Sequence, residues 1–158
     1  MKESSIKPLV SVIIPTYKRS DMLPRAIESV LSQTYANIQV VVVDDNNPDT
    51  EYRKNTEALM GRYESDERIK YVKHRKNSNG SVARNTGISS ADGEIVAFLD
   101  DDDFYYPDKI EKQVTYLLSH PQFRAVYCGW LRDGKKVLPT DEGNLSYNIL
   151  SGDHIIYT

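Results

Sequence analysis

The chain has 158 residues, of which 39% are hydrophobic, and its 20 basic and 23 acidic residues give a formal net charge of −3. This length suits one domain with a sizeable core, and the near balance of charge disfavours a protein that binds nucleic acid or an anionic membrane through its overall field. The single cysteine, Cys128, excludes an internal disulfide and a cysteine zinc site, and its apolar surroundings predict a buried side chain.

The sequence lacks targeting segments and two common nucleotide-binding motifs. No stretch approaches the roughly 18 apolar residues of a membrane span, and the N-terminus lacks an apolar signal segment, so we expect a cytoplasmic protein without a transmembrane segment. Neither GxGxxG nor GxxxxGK[ST] occurs, which removes the main support for Rossmann and P-loop interpretations.

Runs of β-branched residues alternate with segments whose apolar residues recur at helical spacing. We predict strands over residues 9–15, 38–45, 68–74 and 93–99, of which the third is more exposed and the other three are buried. Each strand is followed by a helix, over residues 20–33, 50–63, 81–90 and 107–120, and the third of these helices is short. Ser20 or Asp21 is predicted to cap the first helix. Alternating strands and helices predict an α/β sandwich with a mostly parallel sheet.

Two further strands are predicted near the end of the chain, over 124–131 and 135–139. The Asp133-Gly134 pair between them is a strong hairpin signal. We expect this hairpin to give the sheet a mixed edge.

Aspartates follow two of the predicted parallel strands, at Asp44-Asp45 and at Asp100 to Asp103. In open α/β sheets this edge binds ligands. Two carboxylates about 4 Å apart repel by about 4 kcal/mol at an effective dielectric of about 20, so the larger cluster needs a cation or hydrogen-bond donors. If the chain stays extended, Asp100 and Asp102 share a face and can share a cation. Oxygen ligands favour Mg²⁺ or Mn²⁺, and a diphosphate would complete the site.

Other interpretations of these charged segments remain open. The acidic run could be a solvated turn. A glycoside hydrolase is disfavoured, because its two carboxylates lie on either side of the sugar bond, roughly 5–9.5 Å apart, and adjacent aspartates cannot take such positions. Asn79 precedes a helix N-terminus, where free N–H groups can meet an anion, and Arg84 lies one turn inside. The basic segment 68–76 favours a solvated strand edge over a nucleic-acid surface, since Tyr71 is its one aromatic residue.

Five segments, in order, resemble the opening of a family 2 glycosyltransferase: VSVIIPTYKR, AIESVLSQTY, VVVVDDNNPD, NGSVARNTGI and ADGEIVAFLDDDDFYYPDKIEKQ. The resemblance is strong over residues 9–130 and weak over the remainder. It implies an inverting, metal-dependent enzyme with the GT-A fold, a three-layer α/β/α sandwich around a mostly parallel sheet.

The resemblance also implies a donor, a nucleoside diphosphate sugar that is most often a uridine one, bound across the strand ends. The loop that wraps the nucleoside in the family matches Pro15, Thr16, Tyr17 and Arg19. Asp45 matches the aspartate that hydrogen-bonds the base. Asn79, at the start of its helix, joins the predicted donor-binding set.

The Asp-x-Asp motif of the family matches Asp100 to Asp102. The resemblance implies that Asp101 approaches the ribose and that Asp102 is the main ligand of a Mn²⁺ or Mg²⁺ ion on the diphosphate. Arg84 matches the arginine of the "ARN" motif, which helps to organise the aspartate and phosphate region. A metal ion at this position stabilises the charge that develops on the departing nucleoside diphosphate.

The C-terminus departs from the family pattern. The family places the general base, which deprotonates the acceptor hydroxyl, after the region resembling GDHIIYT, and therefore beyond Thr158. Asp153 is the one late acidic residue in a suggestive setting, and its position matches the acceptor-side strand. We expect residues 1–158 to form a single, C-terminally truncated GT-A domain that binds the donor, with weak or absent transfer.

The predicted function is transfer of a sugar from a nucleotide donor to a saccharide or lipid-linked acceptor, in bacterial cell-surface polysaccharide synthesis. The full enzyme would associate peripherally with the inner face of the membrane. A non-catalytic nucleotide-sugar-binding fragment is the first alternative. A nucleotidyltransferase is disfavoured because PTYKRSD, after the first strand, has no glycine, and a phosphorylated receiver domain because four aspartates in one run do not suit it.

Overall fold

A computed structural model describes residues 7–138 of the chain. Its strands are Val10–Thr16 (β1), Ile38–Asp44 (β2), Ile69–Lys73 (β3), Ile95–Phe98 (β4), Trp130–Arg132 (β5) and Lys135–Val137 (β6). Its α-helices are Leu23–Leu31 (α1), Glu51–Met60 (α2), Gly80–Ser90 (α3) and Lys109–Ser119 (α4), and a 3₁₀-helix covers Gly61–Tyr63. The elements predicted ahead of the hairpin are all present. None of the helices in this part of the chain is long and apolar enough to cross a membrane.

The chain divides into two compact units after Lys109. The first contains a parallel sheet of four strands in the order β3-β2-β1-β4, flanked by helices. Val10 at the start of β1 pairs with Ile38 on one side and Ile95 on the other, so the strands begin nearly level. Because the strands run parallel, their carboxyl ends share one edge, and the mostly parallel sheet of the predicted fold class is confirmed.

The core lies on the two central strands. Ile13, Val41 and Val43 are fully buried and cluster with Ala83 of α3. Gly87, one turn further along α3, faces Ile13 so closely that a Cβ atom there would lie 2.3 Å from Ile13 Cγ2. A glycine at this position therefore lets α3 approach the sheet, and it fixes the height of the helix above the strand ends.

Three predictions about burial and pairing are wrong. The strand predicted as buried over 93–99 is half-buried as β4, because it lies at the edge of the described sheet. Among the strands of residues 7–138 the hairpin adds no mixed edge to the parallel sheet: β5 and β6 pair with each other as a two-stranded sheet, through a turn in which Asp133 and Gly134 both have positive φ. Cys128 is exposed, since residues 125–129 form no strand.

The predicted cap of α1 is also wrong. Met22 occupies the N-cap position and makes no side-chain cap hydrogen bond. The carbonyl of Arg19 instead accepts hydrogen bonds from the N–H groups of Met22 and Leu23, at 3.1 and 3.2 Å. The carbonyl of Arg19 thus provides an acceptor for the first N–H groups of the helix, which have no partner within the helix.

Candidate functional site

The predicted donor and metal residues lie along the carboxyl edge of the parallel sheet, all within the first unit. Pro15 and Thr16 end β1, and Tyr17 and Arg19 follow it. Asp45 follows β2, Asn79 directly precedes α3, and Arg84 lies in α3. Asp100, Asp101 and Asp102 follow β4. Asp153 and the region of the expected base lie outside the described residues. A shallow cavity of about 470 Å³, lined by Glu28, Arg62, Tyr63 and Arg68 among others, includes none of the predicted residues.

The four aspartates form a tight turn. The N–H of Asp103 donates to the carbonyl of Asp100 at 3.1 Å, so the chain turns here and the extended conformation considered for Asp100 to Asp102 does not occur. The turn gathers one carboxylate oxygen each from Asp100, Asp102 and Asp103 within 4.8 Å of one another. We call these three residues the acidic turn. Sequence reasoning missed Asp103, because an extended chain would turn its side chain away from Asp102.

Three arginines surround the acidic turn. Arg84 Nη2 lies 2.5 Å from Asp100 Oδ1, and Arg19 Nη1 lies 3.1 Å from Asp101 Oδ1 and 2.6 Å from Asp102 Oδ2. Arg25, on α1, donates to the carbonyl of Asp102. Arg19 and Arg84 were predicted at the site, and Arg25 was not. These guanidinium groups offset part of the repulsion among the aspartates.

Two aspartates hold their protons more tightly than usual. Burial raises the pKa of Asp101, against the opposing effects of the Thr16 hydroxyl and Arg19. Burial also raises the pKa of Asp103, and the negative charges of Asp102 and Asp100 add to this rise. The carboxylates are therefore destabilised in their charged form, as expected where a further cation would bind.

Asp45 is held inside a hydrogen-bond network. Its side chain is nearly buried, and its Oδ1 lies 2.7 Å from His74 Nδ1 and accepts from the Ser78 N–H at 2.8 Å. Asn77 Nδ2 donates to the other oxygen, Oδ2, at 2.8 Å. The second ring nitrogen of His74 lies 2.8 Å from the Thr86 hydroxyl. This network ties the end of β2 to the loop before α3, and no sequence pattern singled out its donors.

Asp44, the residue before Asp45, forms a buried ion pair with Arg53. Asp44 is fully buried, with its Oδ2 3.1 Å from Arg53 Nε and accepting from the Tyr71 hydroxyl at 2.6 Å. Burial raises the pKa of Tyr71, and the Asp44 carboxylate adds to this effect, so the phenol stays protonated as a donor. Asn46 donates to Asp44 Oδ1 and accepts from the Lys18 N–H at 2.9 Å. The pair therefore supports the loop that carries Tyr17, a side chain that remains 39% exposed.

Asn79 caps α3 from an unusual backbone conformation. Its φ is 77°, and its side-chain oxygen accepts from the N–H groups of Ser81 and Val82, at 3.0 and 3.2 Å. Two of the N–H groups that the sequence predicted to be free for an anion therefore donate to the side chain of Asn79 instead.

Asn79→Ala is expected to lower the free energy of unfolding by about 1–2 kcal/mol, because alanine removes the cap and disfavours positive φ. Asn79→Gly also removes the cap but accepts this φ, and should cost only a few tenths of a kcal/mol. Urea unfolding of both variants measures the difference. Equal losses would show that the backbone at residue 79 is not strained.

The comparisons with known proteins agree with this geometry. The family described as "Glycosyl transferase family 2" matches residues 11–148. The chain is 41% identical over 114 residues to the "Putative teichuronic acid biosynthesis glycosyltransferase TuaG" of Bacillus subtilis, covering 72% of this chain and 43% of TuaG. It is 38% identical over 112 residues to the Escherichia coli "UDP-Glc:alpha-D-GlcNAc-diphosphoundecaprenol beta-1,3-glucosyltransferase WfgD", covering 71% and 42%.

Solved structures show the same fold. Staphylococcus aureus TarS in complex with UDP-GlcNAc matches with a TM-score of 0.62 and 28% identity, over 72% of this chain and 32% of TarS. The mannosyltransferase PcManGT of Pyrobaculum calidifontis, in complex with GDP-Man and Mn²⁺, matches with a TM-score of 0.62 and 27% identity, over 72% and 33%.

The chain spans less than half the length of the curated relatives that it matches. The match to the family nevertheless extends over most of the chain, including all four strands of the parallel sheet and the acidic turn. The fold is GT-A, and the chain belongs to glycosyltransferase family 2.

Proposed function

We propose that this chain binds a nucleoside diphosphate sugar with a divalent cation and serves transfer of the sugar, with inversion, to a hydroxyl group of a saccharide or lipid-linked acceptor. The observation that carries the proposal is the acidic turn, which brings three carboxylate oxygens within 4.8 Å of one another at the carboxyl edge of a parallel sheet. Such a cluster suits a hard cation and, through it, a diphosphate.

The carboxylate oxygens of the acidic turn are suitable ligands for Mn²⁺ or Mg²⁺. Asp102 is the proposed main ligand, with Asp100 and Asp103 close enough to contribute directly or through water. Bound there, the cation would act as a Lewis acid on the diphosphate leaving group. Arg84 holds Asp100, and Arg19 holds Asp102, so both arginines position the carboxylates and also face the region of the phosphates.

The nucleoside is proposed to lie over the ends of β1 and β2. The exposed ring of Tyr17 offers a face for the base, in the segment with Pro15 and Thr16. Asp45 Oδ2 accepts a hydrogen bond from Asn77 and can accept another from an N–H of the base. Asp101 and Asn79 border the ribose and phosphate side.

The donor we propose is a uridine diphosphate sugar. The name of WfgD includes UDP-Glc, and TarS was solved with UDP-GlcNAc. PcManGT, solved with GDP-Man and Mn²⁺, makes a guanosine donor the alternative to test. The names of WfgD and TuaG further support a lipid-linked or polysaccharide acceptor. The cytoplasmic face of the membrane is the proposed place of transfer.

In the proposed transfer, the acceptor oxygen bonds to the anomeric carbon while the bond from that carbon to the diphosphate oxygen breaks. The hydroxyl proton passes to a carboxylate base, which the family places beyond Thr158, and the nucleoside diphosphate leaves. The described residues then supply donor binding and leaving-group stabilisation. In this proposal residues 1–158 belong to one GT-A domain.

Calorimetric titration of UDP into the 158-residue protein, with and without Mn²⁺, tests the donor site. We expect binding that depends on Mn²⁺ and that weakens about tenfold or more in Asp102→Asn, because one metal-binding oxygen is replaced by an amide. Asp92→Asn is the matched control. Asp92 accepts hydrogen bonds from Gln39 and Lys70, the second residues of β2 and β3, at the opposite edge of the sheet, so this change should leave binding unaffected.

Equal binding without Mn²⁺, or equal losses in the two variants, would overturn the metal site. Binding of GDP in place of UDP would change the nucleotide and leave the site standing. Release of UDP from UDP-glucose, measured with and without acceptor sugars, separates an active transferase from a fragment that only binds the donor.

A further inference from the structure

Two exposed aromatic side chains follow the acidic turn directly. Phe104 is 49% exposed and Tyr106 is 52% exposed, and their ring centroids lie 5.6 Å apart at an interplanar angle of 65°. Tyr105, between them, extends in another direction, since its hydroxyl donates to the carbonyl of Phe98 in β4 at 2.5 Å. We call Phe104 and Tyr106 the aromatic pair.

The backbone that carries the aromatic pair is fixed to α1 and to the residues just after it. The Tyr105 N–H donates to the Ser29 hydroxyl at 3.0 Å, and Gln33 Nε2 donates to the carbonyl of Tyr106 at 2.7 Å. The Thr34 N–H donates to the carbonyl of Pro107 at 2.8 Å. The backbone of the pair is therefore held in place before any ligand arrives, which lowers the entropic cost of binding one.

A single arginine connects the aromatic pair to the acidic turn. Arg25 donates to the carbonyl of Asp102, and its guanidinium carbon lies 5.2 Å from the centroid of Phe104. A ligand packed against Phe104 would consequently lie beside the residues that hold the proposed cation and diphosphate.

We propose that the aromatic pair is the surface against which the acceptor sugar packs, an inference that rests on the proposed function. A pyranose presents a face of C–H groups bordered by hydroxyl groups, which matches an exposed ring beside a tyrosine hydroxyl and a guanidinium. In sugar transfer the acceptor hydroxyl must reach the anomeric carbon, which is bonded to the diphosphate. The acceptor surface must therefore adjoin the acidic turn, as the aromatic pair does.

Saturation-transfer difference NMR tests this surface on the 158-residue protein with UDP and Mg²⁺ present. The probes are methyl α-D-glucopyranoside and methyl N-acetyl-α-D-glucosaminide. We expect transfer from the protein to the ring C–H protons of at least one probe, lost in the double variant Phe104→Ser/Tyr106→Ser and retained in Phe104→Tyr. Tyr116→Ser, which removes an exposed tyrosine of α4, is the matched control and should retain the signal.

Several results would overturn the proposal: an unchanged signal in the double variant, no signal from either probe with the wild type, or loss of the signal when UDP-2-fluoroglucose replaces UDP. The last result would assign the surface to the donor sugar. The protons of UDP report nucleotide binding in the same sample, so a failure of the proposed donor site is seen separately from a failure of the acceptor surface. Thermal unfolding shows whether the variants are folded, which their half-exposed positions favour.

Discussion

Replacing Arg53 with methionine is expected to lower the free energy of unfolding by about 3–5 kcal/mol, because the change leaves the carboxylate of Asp44 buried without its partner. Asp44 is fully buried and Arg53 is 6% exposed. The same guanidinium also donates to the carbonyls of Asp44, Asn46 and His74, which would lose a donor in the variant. Urea unfolding at pH 7 measures the loss.

Arg68→Met is the control for this experiment. Arg68 lies 2.7 Å from Asp66, but 46% of its side chain is exposed, so its removal should cost less than about 1 kcal/mol. Adding Asp44→Asn to Arg53→Met should recover part of the stability, since residue 44 then carries no unpaired buried charge. Equal losses for the two arginine variants would contradict the buried ion pair.

Gly87→Ala is expected to lower the free energy of unfolding by about 1–3 kcal/mol, although alanine favours a helix by about 1 kcal/mol. The new methyl group would lie 2.3 Å from Ile13 Cγ2, so α3 or the centre of β1 must move. Because α3 also carries Arg84, which contacts Asp100, the same variant should bind UDP more weakly. Urea unfolding and calorimetry measure the two effects.

Gly61→Ala provides the comparison for Gly87→Ala. Gly61 has a helical φ of −57°, and within residues 7–138 no atom lies within 4 Å of the position that a Cβ would take. Alanine should therefore leave stability unchanged or raise it by up to about 1 kcal/mol. If Gly87→Ala proves as stable as Gly61→Ala, then Ile13 yields without cost, and close packing does not set the height of α3.

The sequence predicted the strands and their shared edge because the apolar runs of β1 and β2 leave few alternatives. Those runs end at Thr16 and Asp44, so the sequence alone assigns the candidate residues that follow them to one edge of the sheet. The first strand of the hairpin starts later than the apolar run predicts. The apolar run around Cys128 has the composition of a strand, but the backbone begins to pair only at Trp130.

Contacts between distant residues could not be predicted in the same way. Arg25 reaches Asp102, and His74 meets Asp45 and Thr86, only because the sheet brings separate loops together. The conformation of the acidic turn was left open for a local reason: four identical residues give no pattern that separates a turn from an extended chain. Their roles toward a nucleotide remain predictions.

The partners of the aspartates differ greatly in their distance along the chain. Arg84 is 16 residues from Asp100, whereas Arg19 is 82 residues from Asp101. During folding, the nearer arginine can neutralise charge once α3 and β4 meet, but the farther one arrives only after β1 joins β4. Until then the clustered aspartates oppose collapse, and dissolved salt or a divalent ion would ease that step. The feature that holds the proposed cation would thus also make the folding rate sensitive to ions.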